Sequence, residues 1–302
     1  MVKKLSNENK YKNYIILAND FLSEESYEKA YHSFKKALFF AKNIENKIDA
    51  LFEMADILLI FEKYKEADEL YLEILELDKS RSGAYYGRAL ANDFLSGDIE
   101  ISIENYKNAI KYDEYYDRAY YYLGHCYDRI GEKDLALLNF EKCIEIDDMD
   151  FISYNDIGSI YEEKNNYEMA EKYFKKSLEI NPKYFRALFN MGVVKRDTGD
   201  LDKALEYYME ATKYNQNPYI YLNMSAIFIE RQDYKGAIDI LNKGIMYNPD
   251  SVNLFYNRAC SEANLLNDKD AVKDLKKAIE INKDAYSWAE NDPDLYDIVK
   301  EM

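Results

Sequence analysis

Tyr120–Asp147 reads YYYLGHCYDRIGEKDLALLNFEKCIEID, Tyr154–Pro182 reads YNDIGSIYEEKNNYEMAEKYFKKSLEINP, and Leu188–Asn215 reads LFNMGVVKRDTGDLDKALEYYMEATKYN. Laid over one another, they put Gly124, Gly158 and Gly192 in one column, 34 residues apart. Small residues extend the column to Ala18, Ala55 and Ala89 before it and to Ser225 and Ala259 after it, at spacings of 37, 34, 35, 34, 34, 33 and 34. A second small residue follows about twelve places on: Ala30, Ala67, Ser102, Ala136, Ala170, Ala204, Ala237 and Ala271. Then comes a large apolar residue: Phe34, Tyr71, Tyr106, Phe140, Phe174, Tyr208, Leu241 and Leu275. A further mostly small column closes the pattern, from Ala37 and Ile74 through Cys143 and Ser177 to Ala278.

Each unit reads as two helices. From Phe151, apolar Tyr154, Ile157 and Tyr161 recur at helical spacing around Gly158, and Met169, Ala170, Tyr173, Phe174 and Ile180 repeat the pattern in the second half. Gly97, Gly131 and Gly199 fall between the halves, where a left-handed helix cap costs glycine little. Pro182 and Pro249 follow second helices, and Pro218 opens a unit. One helical hairpin cannot bury its apolar face alone. Small residues let two helices approach, a large residue opposite fills the gap, and stacking hairpins builds a continuous core.

The columns resemble the tetratricopeptide repeat, whose period is 34 residues. The resemblance spans Tyr11–Ala285 in eight units: 11–44, 48–81, 82–116, 117–150, 151–184, 185–217, 218–251 and 252–285. It implies an all-α, right-handed superhelix of helical hairpins, in which first helices line a concave groove. Residues 1–10 form an N-terminal tail. Residues 286–302 leave the pattern and predict one capping helix over the eighth unit, with Asp292 as N-cap, Pro293 at its first position, and Leu295, Ile298, Val299 and Met302 as its apolar stripe. A docking helix for another protein is the alternative. The three extra residues near Glu45–Lys47 predict a longer loop.

Composition narrows the functions. The net charge is −17 with 57 acidic and 40 basic residues, which argues against nucleic acid and anionic membranes as partners and favours a soluble monomer. Apolar runs such as Ile57–Phe61 are far too short to span a bilayer, and no apolar segment follows the basic N-terminus, so a cytoplasmic protein is expected. Cys126, Cys143 and Cys260 form no metal-binding spacing and read as free thiols. His32 and His125 lie 93 residues apart, on opposite helices of the unit. No nucleophile–histidine–carboxylate set, P-loop or dinucleotide motif occurs. Neither an enzyme nor a metal or cofactor is expected.

What remains is the groove. Three places before the first small residue runs a mostly aromatic stripe: Ile15, Phe52, Tyr86, Tyr121, Asn155, Phe189, Leu222 and Tyr256. It reads equally as packing between units and as an apolar floor for a ligand. One place nearer lie Tyr122, Asp156, Asn190, Asn223 and Asn257. Three consecutive asparagines are similar to the asparagine ladder of the repeat domain of O-GlcNAc transferase, which implies bonds to a peptide backbone; surface polarity explains them too. Arg118 and Arg186 stand at the groove edge, Arg129 and Arg196 at the far ends of the same helices, and His125 follows Gly124. The expected binding surface is therefore Arg118, Tyr121, Tyr122, His125, Arg186, Phe189, Asn190, Asn223, Tyr256 and Asn257. The family's carboxylate clamp for Hsp70 and Hsp90 tails is not matched, because Ile15 replaces its Lys and Glu53 its second Asn. The expected function is a non-catalytic scaffold binding a protein or peptide segment. A peptide-responsive sensor is the alternative.

Overall fold

The computed structural model describes residues 6–300, which form helices and no strand. They divide into two compact units, 1–148 and 149–302. The first holds α1 (Asn7–Ser23), α2 (Tyr27–Phe40), α3 (Ile44–Ile60), α4 (Tyr64–Leu77), α5 (Ser82–Phe94), α6 (Ile99–Tyr112), α7 (Asp117–Arg129) and α8 (Lys133–Ile146). The second holds α9 (Phe151–Glu163), α10 (Tyr167–Ile180), α11 (Phe185–Asp197), α12 (Leu201–Thr212), α13 (Pro218–Glu230), α14 (Tyr234–Tyr247), α15 (Val252–Asn264), α16 (Asp268–Ile281), α17 (Asp284–Glu290) and α18 (Tyr296–Lys300). Through α16, each odd helix packs on the even helix that follows.

The small-residue columns explain that pairing. Ala18, Ala55, Ala89, Ser225 and Ala259 are fully buried, as is every member of the second column from Ala30 to Ala271. The large residues opposite, from Phe34 to Leu275, are at most 2% exposed. The contact is steric: a Cβ placed on Gly124 would meet the Phe140 ring at 2.8 Å, on Gly158 the Phe174 ring at 2.6 Å, and on Gly192 the Tyr208 ring at 2.4 Å. Each such ring is a plug, and burying it contributes about 1.5–3 kcal/mol.

Every hairpin turns through one left-handed residue: Glu25, Glu62, Ser96, Gly131, Asn165, Gly199, Gln232 and Leu266. These positions repeat with the small-residue column, seven places behind it. Gly131 and Gly199 are the glycines expected there. Gly97 is not, since Ser96 takes the left-handed position and Gly97 instead accommodates the Asn92 side chain, whose Oδ1 would lie 2.1 Å from an added Cβ.

Three expectations change. The helix starts within the expected tail, at Asn7, because Ser6 caps it by accepting from the Asn9 amide at 3.2 Å. The extra residues near Glu45–Lys47 lengthen α3 and not a loop: the Asn43 side chain accepts from the Asn46 amide at 2.7 Å, and Ile48 is buried one turn on. The C-terminal segment forms two short helices, not one. Asp292 Oδ1 accepts from the Asp294 amide at 3.0 Å across a turn that delays α18 until Tyr296. Ala289, Leu295, Ile298 and Val299 pack with Ala259, Ala271 and Leu275 of the last hairpin, and Trp288 sets its edge on Tyr256 at 5.9 Å. Met302 lies outside the described residues.

Candidate binding clefts on the first helices

In the first unit the expected residues gather into an aromatic cluster. Tyr122 stacks on the Tyr106 plug at 5.9 Å and tilts against Tyr86 at 5.9 Å. Tyr121 meets His125 at 4.5 Å and the Phe140 plug at 5.9 Å. Tyr121, Tyr122 and His125 are therefore half-buried and pack on the core as well as lining the first-helix face. The same contact recurs between Phe52 and Tyr71 at 6.1 Å, Tyr86 and Tyr106 at 6.0 Å, and Phe189 and Tyr208 at 5.6 Å. The aromatic stripe thus shields the plugs. Exposed Arg118 lies beside Tyr86 and Tyr116; burial pushes the Tyr116 hydroxyl up to about 12, and Arg118 opposes that rise.

In the second unit the expected residues separate. Arg186, Phe189 and Asn190 line a cleft of about 520 Å³ with Asn155, Asp156 and Ser159 of α9, Phe185 of α11, and Asn217, Tyr219 and Ile220 at the start of α13. Asn190 Nδ2 donates to Asn155 Oδ1 at 3.1 Å and to Ser159 Oγ at 3.2 Å, which leaves its carbonyl oxygen as an acceptor. Asn223 belongs to no such row. Its Oδ1 accepts from the Arg196 guanidinium and its Nδ2 donates to the Tyr219 carbonyl at 2.9 Å. The oxygen and one N–H of that amide are engaged inside the protein.

Tyr256 and Asn257 line a second cleft of about 370 Å³. The Tyr256 hydroxyl donates to Asp292 Oδ2 at 2.9 Å, and the Cys260 thiol reaches the same oxygen at 3.7 Å. Cys260, Asp292 and Asp294 place ligand atoms within 4.8 Å of one another, the one such group of three among the described residues. Burial and the two carboxylates push the Cys260 thiol up, which keeps it the neutral donor to Asp292 in this arrangement. Residue spacing does not show this junction, because Cys260 and Asp292 meet only when the C-terminal turn folds back. A third cleft, about 430 Å³, includes Tyr31 and His32 of α2 and Phe61 at the end of α3.

Cys126 is buried, and burial with nearby Asp93 pushes its thiol up to about 12. Three cysteines are free: Cys126, Cys143 and Cys260. No described helix is long and apolar enough to cross a membrane.

Comparison with known proteins agrees with this architecture. Family models described as tetratricopeptide repeat match residues 150–217 and, separately, residues 48–81 and 117–148. The chain is similar to the crystal structure of MamA protein, at 29% identity and a TM-score of 0.50 over 58% of this chain and 94% of that one. It shares its fold with PilF of Pseudomonas aeruginosa, at 18% identity and a TM-score of 0.61 over 70% and 97%. It also shares its fold with the APC/C hetero-tetramer Cut9–Hcn1, at 15% identity and a TM-score of 0.59 over 91% and 52%. None of the curated proteins matches the chain.

Proposed function

The chain belongs to the tetratricopeptide-repeat family, whose repeats serve as protein-interaction scaffolds, and from this we propose that it is a non-catalytic adaptor that captures a peptide or protein segment on its first-helix face. The supporting observation is the cleft over α9, α11 and α13, which joins apolar Phe185, Phe189 and Ile220 to the amides of Asn190 and Asn217 and to one guanidinium, Arg186. Apolar area supplies affinity, and a few placed polar groups fix a backbone, which is how an extended segment is held. Free cysteines and the net charge of −17 fit a monomer in a reducing cytoplasm.

Affinity capture from a lysate tests the reading, with wild type beside a Phe189→Ala/Asn190→Ala variant. Loss of the captured proteins from the variant, at an unchanged circular-dichroism spectrum, is the expected result. Identical captured sets overturn the placement of the site.

A further inference from the structure

The cleft formed by α13, α15 and the C-terminal turn carries charge of one sign. Glu230, Asp292 and Asp294 line it, and no Lys, Arg or His does. The cleft over α9, α11 and α13 differs, with one cation, Arg186, and one carboxylate, Asp156, in its lining. Neutral donors hold the central carboxylate in place. Asp292 Oδ1 accepts from the Asp294 amide at 3.0 Å, and its Oδ2 accepts from the Tyr256 hydroxyl at 2.9 Å and from the Cys260 thiol at 3.7 Å. These bonds orient Asp292 without cancelling its charge.

The other two carboxylates are open to a ligand. Glu230 and Asp294 are exposed, and their side chains make no ion pair or hydrogen bond among the described residues. The arginines of these hairpins turn elsewhere: Arg231 to Asp202 at 2.8 Å and Arg258 to Asp274 at 2.6 Å. Glu230 is the last residue of α13, so the negative end of that helix dipole adds to the carboxylates. Beside them, Ile229, Tyr234 and the ring of Tyr256 supply apolar wall. Apolar wall next to carboxylates without a counter-charge is the complement of one kind of side chain, an aliphatic stem that ends in a cation.

We propose that this cleft binds a basic segment of a partner protein, in which a Lys or Arg sets its charged end against Glu230, Asp292 and Asp294 and lays its methylene stem on Ile229 and Tyr234. A hydrogen bond from a cation to a carboxylate is stronger than one between neutral groups, and the tyrosine rings add cation–π attraction. The inference goes beyond the groove reading above: it concerns a different cleft and fixes the sign of the ligand's charge. A net charge of −17 draws any cationic peptide toward the chain, so the test separates this cleft from the general field.

The probe is an acetylated, amidated peptide, GAKVKAG. Its counterpart has norleucine in place of each lysine, which keeps the stem and removes the ammonium. Binding to the full chain is followed by calorimetry. Wild type is expected to bind the lysine peptide on the order of tenfold more tightly than the norleucine peptide, the size of one charge-assisted contact. Glu230→Gln/Asp294→Asn is expected to bring that ratio to about one. Glu230→Gln alone, which touches none of the hydrogen bonds of the turn, lowers it in the same direction. Glu73→Gln/Glu104→Gln removes the same charge from exposed positions of α4 and α6 and is expected to keep the wild-type ratio. No binding of the lysine peptide, or equal binding of the two peptides to wild type, overturns the inference. So does a ratio that survives in the cleft variants, or one that falls as far in the α4/α6 variant, since either assigns the binding to the general field. The groove reading is tested apart from this, because loss of the captured proteins in Phe189→Ala/Asn190→Ala leaves it standing whatever the peptides do.

Discussion

Tyr71 and Tyr106 in the first unit fill the slot that Tyr208 fills in the second, yet their hydroxyls end differently. Tyr71 donates to Asp56 Oδ1 at 2.6 Å and Tyr106 to Asp93 Oδ2 at 2.8 Å. Asp93 also accepts the Ser102 hydroxyl at 2.6 Å. The Tyr208 hydroxyl is buried with no hydrogen-bond partner. The reason lies on the first helix of each hairpin. Asp56 directly follows the small residue Ala55, and its counterpart after Gly192 is Val193. Asp93 lies four places after Ala89, and its counterpart is Arg196, which is engaged with Asp197 and Asn223. Phe34, Phe140 and Phe174 fill the slot with no hydroxyl at all. The ring makes the fold; the hydroxyl stabilises it only where an acceptor has been supplied.

If the ring is the structural element, crowding its socket is the largest perturbation. Gly192→Leu drives a side chain into a Tyr208 ring that already lies 2.4 Å from the position of a Cβ, and costs roughly 3 kcal/mol. Urea denaturation followed by circular dichroism reads this as a lower midpoint. Midpoints equal to wild type would mean that the socket is not tight. Removing an acceptor comes next. Asp93→Ala leaves both the Tyr106 and Ser102 hydroxyls without their carboxylate and costs about 2 kcal/mol, whereas Val193→Ala, at the acceptor position near Tyr208, takes away no hydrogen bond. An Asp93→Ala midpoint equal to wild type would erase the distinction between the hairpins.

This contrast also marks what the sequence carries. The columns of small and large residues are spaced by the helix period and the hairpin length, so the pairing of α7 with α8, or of α9 with α10, is legible from Gly124, Phe140, Gly158 and Phe174 alone. Hydrogen bonds between side chains of different helices are set by ångström-scale placement, which periodicity does not encode. That is why three consecutive asparagines look alike in sequence while Asn190 lines a cleft, Asn223 is spent on Arg196 and the Tyr219 carbonyl, and Asn257 faces a cleft shared with the C-terminal turn. It is also why the aromatic stripe is legible as a stripe but not as the cover of the plugs, and why the partners of Arg196, Arg231 and Arg258 had to be seen. The left-handed turns make the same point. Leu266 and Gln232 occupy them as Gly131 does, because the geometry of the hairpin overrides a preference worth about 1–2 kcal/mol per residue.

The unpartnered hydroxyl of Tyr208 allows a gain. Tyr208→Phe keeps the ring, removes a buried polar atom that has nothing to bond, and is expected to raise stability by up to about 1 kcal/mol. Tyr106→Phe, in contrast, loses about 1 kcal/mol. Opposite signs for one chemical change at equivalent positions are the strongest form of the comparison, and equal signs in thermal or urea melts would refute it.

The smallest expected effect is a difference in pH dependence. Burial lifts Asp56 above its ordinary value of 3.8, and the Tyr71 hydroxyl pulls it back down. In Tyr71→Phe the pull is gone, so the native pKa rises further while the unfolded one stays put. A carboxyl whose native pKa exceeds its unfolded pKa makes the native state bind more protons between the two values, and stability falls as pH rises through that window. The penalty of Tyr71→Phe is therefore smallest below the ordinary carboxylate range and grows as pH climbs through and above it. Tyr208 bonds no carboxylate, so the stability change of Tyr208→Phe stays flat across the same range. Urea midpoints of the two variants between about pH 3 and pH 7, each referred to wild type at the same pH, separate a hydroxyl that serves a carboxylate from one that serves nothing.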